Sequence, residues 1–153
     1  MGIYNGGDAL RKAVVGELVS KGTATLPQTT AGNLFSVVGG RVRILQIMGE
    51  VTTVIQTQAN ATKLSHDPDV GAAVDICTGL DISADAVGTN YGITGAVASA
   101  MLGASHAYLV GQAAPLILPA GVITITCAAS NTGSVKWDVL YVPIDEGARV
   151  VSV

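Results

Sequence analysis

At 153 residues the chain is the size of one ordinary domain, and 49% apolar against 12% charged residues excludes intrinsic disorder, which needs low hydrophobicity and high charge. Eight basic and eleven acidic residues give a net charge of −3, and with one Trp, one Phe and no basic stripe the composition argues against nucleic-acid binding. A folded monomer of this mass exposes roughly 7,000 Å², so these few charges average about one per 400 Å², and large uncharged patches of the kind that mark interfaces are expected.

The first expected element is a helix. Asp8 stands where it can cap the first turn, Leu10, Val14 and Leu18 recur every four residues through Ala9–Lys21, and Gly22 supplies a stop. Glu17 and Lys21 stand in the favourable i,i+4 order, while Gly16 inside the run costs about 1 kcal/mol relative to Ala, so this helix needs packing against something else. Thr23–Thr30 reads as a Thr-rich connector holding Pro27, and Leu34–Val38 as a short apolar run ending at the Gly39-Gly40 turn. Arg41–Ile47 alternates Val42, Ile44 and Gln46 against Arg43, Leu45 and Ile47, so both faces look partly covered; Gly49 then breaks the run. Glu50–Gln58 resumes with β-branched Val51, Thr52, Thr53, Val54, Ile55 and Thr57.

Ala59–Asp69 reads as a polar loop or edge strand, Val74–Cys77 as a short strand, and Gly79–Gly95 as loop-rich; Ala96–Met101 fits a helical turn or a strand. Tyr108–Val110 and Leu116–Leu118 are strand-like, with a turn at Pro119-Ala120-Gly121. Val122–Cys127 alternates strictly, and after a turn at Ser130–Gly133 the run Ser134–Val142 sets Val135, Trp137, Val139 and Tyr141 against Lys136 and Asp138. Pro143–Val153 is a turn plus a short extension. About eight short strands after one helix predict an all-β fold, an antiparallel, jelly-roll-like β-sandwich with a short N-terminal helix or arm. Residues 1–32 form the helix and connector, and 33–153 the sandwich.

Ala86–Val135 contains no Asp, Glu, Lys or Arg, fifty residues in all. Within it Ile93–Pro119 is long enough for a bilayer span, but it is dilute in large apolar residues, holds His106 and Gln112 and lacks basic anchors, so no membrane is expected as a partner. Met1–Asp8 lacks the pattern of a secretory signal, which makes cytoplasmic synthesis the default. Cys77 and Cys127, fifty residues apart and outside any CxxC or Cys/His cluster, read as two buried free thiols.

Chemistry-bearing patterns are sparse. Asp67, Asp69 and Asp75 invite a calcium reading, but their spacing fits no EF-hand loop and a solvated turn accounts for them. His66 and His106 make no pair, and GxSxG, P-loop, GxGxxG and HExxH are all missing, so no catalytic residue, metal or cofactor is assigned. Asn60-Ala61-Thr62 fits a glycosylation sequon without the secretory context that would use it. The charge, in contrast, is asymmetric: residues 1–43 carry five basic against two acidic residues, the remainder three against nine. An N-terminal segment of opposite sign either folds back on its own domain or reaches for an acidic partner.

The C-terminal stretch carries a resemblance. Pro119-Ala120-Gly121-Val122-Ile123-Thr124, Ser130-Asn131-Thr132-Gly133-Ser134-Val135-Lys136-Trp137 and Leu140-Tyr141-Val142-Pro143-Ile144-Asp145-Glu146-Gly147-Ala148 resemble the ending of small capsid decoration (cement) proteins of tailed bacteriophages, over roughly the last 35 residues. The resemblance implies a jelly-roll or similar β domain made in the bacterial host cytoplasm. Such a domain assembles as a homotrimer on the capsid exterior of the virion, binds the major capsid protein and reinforces the shell. From charge and position, Leu10, Arg11, Lys12, Val14, Arg41 and Arg43 are the expected capsid-docking residues, and Tyr108, Leu116 and Leu118 the expected oligomer interface. The alternatives are the base or head domain of a phage tail or head fibre that binds a host surface, a small sugar- or ligand-binding sandwich, for which six aromatic residues build a poor pocket, and, last, an enzyme.

Overall fold

The computed structural model describes residues 6–28 and 30–153; residues 1–5, where the expected arm begins, and Thr29 of the connector lie outside the described residues. Among the described residues the chain forms one helix, α1 (Gly6–Val15), and twelve strands: β1 (Glu17–Thr25), β2 (Ala31–Val38), β3 (Val42–Thr53), β4 (Ala61–Pro68), β5 (Val74–Asp75), β6 (Leu80–Asp81), β7 (Asn90–Gly92), β8 (Leu102–Ala104), β9 (Leu116–Leu118), β10 (Gly121–Cys127), β11 (Ser134–Pro143) and β12 (Arg149–Ser152).

The helix ends at Val15, six residues short of the expected Lys21. Gly16 is the stop: its φ of +91° is left-handed, and its N–H closes the last turn on the Lys12 carbonyl at 2.9 Å. From Glu17 the same apolar residues that fit a period of four also fit a period of two, and a ladder running from Glu17 opposite Tyr141 to Thr25 opposite Ser134 takes them as β1. Backbone pairing with β11 outweighs a helix stripe that would have had little to bury, since Leu10 and Val14 remain 65% and 72% exposed.

Two antiparallel sheets face each other. The first has the order β1-β11-β3-β7-β8, with β9 also paired to β3; the second has the order β12-β2-β10-β4-β5, with β6 also paired to β4. The interleaved sets β1-β11-β3-β7 and β2-β10-β4-β5, with the chain crossing between sheets from β1 to β2, β3 and β4 and again from β9 to β12, are the double Greek-key connectivity of a jelly roll. Edges are guarded. β1 and β12 are outer strands on the same flank, the register of β1 slips between Lys21 and Ala24, and Lys21 sits opposite Trp137 with its ammonium reaching the Val153 carbonyl oxygen.

Alternation decides what is inside. Val135, Trp137, Val139 and Tyr141 of β11 and Ile123, Ile125 and Cys127 of β10 are buried, as their spacing predicts. In β3 the register slips where Leu140 faces Gln46 and Tyr141 faces Ile44, leaving Leu45 as the extra residue of a bulge. That slip puts Val42, Ile44, Ile47 and Val51 all in the core and resolves the two-faced pattern of this run. Gly49 does not end the strand: it pairs with Trp137, whose ring lies so close that a Cβ there would stand 2.8 Å from it. Trp137 in turn stacks on Tyr91 of β7, centroids 6.2 Å apart. Tyr108–Val110 is irregular rather than a strand, and 96–99 is a turn closed by Ser99 N–H on the Ala96 carbonyl, followed by a bridge from Ala100 to Thr78. No helix among the described residues is long and apolar enough to cross a membrane.

Ala59–Asp69 is neither a loop nor an edge: β4 lies inside the second sheet between β10 and β5, with Thr62, Leu64 and His66 buried. Asn60, fully buried, accepts from the Ala128 and Ala129 N–H groups at 2.8 and 3.2 Å and is therefore closed to glycan attachment. Cys77 and Cys127 are buried free thiols, and burial pushes both upward from the ordinary thiol range.

His66 makes stability pH-dependent. Burial lowers its imidazole below the ordinary value, against the weaker opposing pull of Asp67, the Pro119 and Val122 backbone and Asp69. The folded chain therefore takes up this proton less readily than the unfolded one. The contribution is complete above the unfolded value of about 6.5 and declines as pH falls below it. The carboxylates of Glu17, Asp75, Asp81 and Asp145 are held low, Asp145 at about 2, and lose their contribution only at more acid pH. Urea midpoints measured at pH 7.5 and 5.5 should fall for the native chain and change much less for His66→Gln; an equal fall in both would assign the effect elsewhere.

Candidate interaction surface

The outward residues of β11 read Lys136, Asp138, Leu140 and Val142, polar at one end and apolar at the other. The polar end is satisfied locally, with Lys136 paired to Glu50 at 2.7 Å and Asp138 accepting from the Ser20 hydroxyl. At the apolar end Leu140 lies opposite Leu18 on β1 and Gln46 on β3, and the methyls of Leu140 and Leu45 approach Gly16. Helix α1 flanks this end, and between them lies an open groove of about 430 Å³ walled by Asp8, Arg11, Lys12, Val15, Leu18 and Leu140. Val15 and Leu18 are exposed along it, while Leu10 and Val14, also exposed, stand on the other side of the helix from the groove-facing Asp8, Arg11, Lys12 and Val15.

On the other side the segment 105–114 runs back over the first sheet. Ala113 and Ala114 N–H groups bind the Thr94 carbonyl at 3.0 and 3.1 Å, Gln112 Nε2 reaches the carbonyls of Ala114 at 2.7 Å and Ile44 at 3.4 Å, and Leu109 packs on Gly92. Outward from this anchored base project Tyr108, 86% exposed, and Val110, while Ile117 of β9 stands exposed opposite Arg43. The outer face of the first sheet thus carries an apolar tract from α1 to β9. The outer face of the second sheet differs, with Thr124 opposite Ser65, Thr126 opposite Lys63, and Lys63 paired to Asp75 at 2.6 Å.

The expected docking residues fall into two groups. All of Leu10, Arg11, Val14 and Arg43 are exposed, Arg11 in the groove wall and Arg43 opposite Ile117, whereas Leu10 and Val14 are not among the groove residues. Lys12 is paired with Glu17 at 3.1 Å, which holds the Glu17 carboxyl below its usual range, and Arg41 grips Asp145 through its backbone N–H, Nε and Nη2 at 2.7, 3.0 and 2.8 Å. Arg41 is thus a basic residue of the N-terminal segment that folds back on an acidic one of the remainder. Among the expected interface residues, Tyr108 is free, Leu116 is half-buried against the core, and Leu118 is a core residue at 5% exposure, so its side chain offers a second copy almost nothing. Its burial follows from the register, in which Leu118 and Leu116 lie opposite inward Val42 and Ile44 while Ile117 points out.

Among the described residues no three of His, Cys, Asp and Glu are grouped to hold a metal ion, and Asp75 is taken up by Lys63 and Ser65. Ser105 and His106 meet at 3.1 Å on the exposed loop. The cleft between β1 and β2, floored by Trp137 and Ile125, holds about 160 Å³, below the several hundred Å³ of an ordinary small-molecule site, whereas the open groove beside α1 at about 430 Å³ is of that size.

No family model matches the chain, and no curated protein and no solved structure matches it.

Proposed function

We propose that the chain is a structural virion protein of the decoration class, which binds the outer surface of a phage capsid as a homotrimer and stabilises the shell. The observation that carries this reading is the apolar tract on the outer face of the first sheet, on a molecule whose 7760 Å² of surface holds few charges, several of them cancelled in the four ion pairs found among the described residues. The resemblance of residues 119–148 to decoration-protein endings agrees with it. The mechanism is energetic and involves no turnover. Apolar area leaves water at roughly 25 cal/mol per Å², association costs offset part of the gain, and a trimer touching several capsid subunits adds avidity.

The test is co-sedimentation with purified capsids of a tailed phage, beside light scattering of the free chain. Saturation at a fixed stoichiometry supports the reading, and no association with capsids removes it. The arm is tested by deleting residues 1–15. The cut stops at Val15 because β1 begins at Glu17 and belongs to the sheet. The truncated chain is expected to keep its fold and to bind capsids at least ten-fold more weakly; unchanged binding would end the docking role of α1. A fibre base or head domain is the second reading, favoured by the exposure of Tyr108, since aromatic side chains anchor contacts to foreign surfaces. Binding to host cells without binding to capsids would select it.

A further inference from the structure

We infer that His66 is an acid-sensitive latch at one end of the sandwich: when its imidazole takes up a proton, the end of β4 parts from the Pro119–Gly121 turn, where the chain crosses from the first sheet to the second, while the rest of the fold stays closed. The inference stands apart from the virion role and goes beyond it.

The joint is built from backbone. β9 ends at Leu118 and β10 begins at Gly121, so Pro119 and Ala120 alone carry the chain between the sheets. Gly121 lies opposite Pro68, Val122 opposite Asp67 and Ile123 opposite His66. A Cβ on Gly121 would stand 2.4 Å from the Asp67 carbonyl oxygen, and the Asp69 N–H donates to the Ala120 carbonyl at 3.0 Å. On the far side of His66 the sheet thins to the two-residue β5, with Val74 opposite the histidine, and residues 69–75 are all exposed.

His66 sits at this thin end, 2% exposed, with neither ring nitrogen hydrogen-bonded within the protein. A neutral ring tolerates that placement. A charged one does not, because a buried charge without a partner bears its whole desolvation cost. The carboxylates that act on the ring are Asp67 and Asp69, on β4 and the turn after it, and burial outweighs their pull. Asp75 of β5 is taken up by Lys63 and Ser65, and β9, the crossing turn and β10 all lie in the uncharged run Ala86–Val135. No neighbouring strand thus brings a free acid to the ring. Lifting the end of β4 from the turn hydrates the imidazole at the expense of the bond from Asp69 to Ala120 and the last rungs of one ladder. Local openings of this kind draw on the least protected part of a fold. The crossing also ends β9, which is held to β3 by only three residue pairs and carries Ile117 into the apolar tract, so the latch links acid to that face.

Amide hydrogen exchange of the full chain, read by NMR and corrected for intrinsic rates, tests the latch. The Asp69 N–H reports the joint, and the Val51 N–H, bonded to the Thr89 carbonyl at 2.9 Å in the first sheet, reports unfolding of the whole. At pH 7.5 Asp69 is expected to open at least about ten-fold more often than Val51. Between pH 7.5 and 5.5 its opening should rise several-fold, with a ceiling of about ten-fold set by the ordinary imidazole value of about 6.5, because the opened chain binds the proton more readily than the closed one. In His66→Gln the opening should stay constant over the same interval. If that variant fails to fold, His66→Leu, which leaves no ring nitrogen to charge, carries the same expectation. An Asp69 amide that opens no more often than Val51 overturns the latch. So does an opening that ignores acid, or one that rises equally without the imidazole, which would assign the response to another group such as the exposed His106.

Discussion

Trp137→Ala should lower the unfolding free energy by about 3–5 kcal/mol, the largest loss expected from any single side chain here. Trp137 is 2% exposed in β11, an interior strand of the first sheet between β1 and β3, its ring lies on Gly49 in the next strand, and it stacks at 6.2 Å on Tyr91. Truncation removes the transfer energy of the indole and leaves a void between two sheets that cannot close without breaking register. In a chain of this size each kcal/mol moves Tm by roughly 2–4 °C, so a fall of about 10 °C is the expected reading. Trp137 is the only tryptophan, so the transition is followed by circular dichroism rather than by indole emission. Trp137→Phe, which keeps an aromatic on Tyr91, should lose less than half as much. A loss under about 1.5 kcal/mol for the alanine variant would show that the sheets pack without this ring.

Gly95→Ala is the second large effect and acts on the surface through the backbone. At φ +87° a Cβ costs about 1–2 kcal/mol by itself, and here it would stand 1.8 Å from the Ala114 carbonyl oxygen, which no rotamer change relieves. The chain must move one segment off the other, breaking the bonds from Ala113 and Ala114 to Thr94 that anchor 105–114. The expected result is a loss of at least about 2 kcal/mol, with hydrogen exchange at Ala113 and Ala114 rising well above that in the rest of the sheet. Gly111→Ala, where the nearest neighbour is 3.9 Å away, serves as the control and should be near neutral. Unchanged protection at both amides would mean that the close approach does not hold the segment down.

The parts of this architecture that were readable in the amino acids are those where one face is dry and the other wet. β10 and β11 announce themselves because inward Ile123, Ile125, Trp137 and Val139 alternate with Thr124, Thr126, Lys136 and Asp138. β4 hid because Thr62, Ser65 and His66 are polar yet buried in a strand flanked on both sides, a placement set by its neighbours rather than by its own composition. Leu18 misled because it satisfies a period of four and a period of two, and only the pairing with Leu140 chooses between them. The bulge at Leu45 and the two-residue strands β5 and β6 exist through contacts distant in sequence, which no local window contains. Leu10, Val14 and Tyr108, expected at contact surfaces, are exposed, while Leu118, expected beside Tyr108, is buried, one residue out of phase with exposed Ile117. Exposed Val15, Val110 and Ile117 carry no such signal in a local window, although the change from Lys136-Asp138 to Leu140-Val142 along β11 marks an outer face turning apolar.

The slipped register of β1 and the lysine that reaches from it to the Val153 carbonyl oxygen bear on what can add to this edge. A flat, regular outer strand is a template on which further strands add without limit, as in amyloid. Here the irregularity between Lys21 and Ala24 spoils that template, and a stray strand added there would have to accommodate an ammonium group turned toward the flank. Growth along the hydrogen-bonding direction at this edge is thereby discouraged.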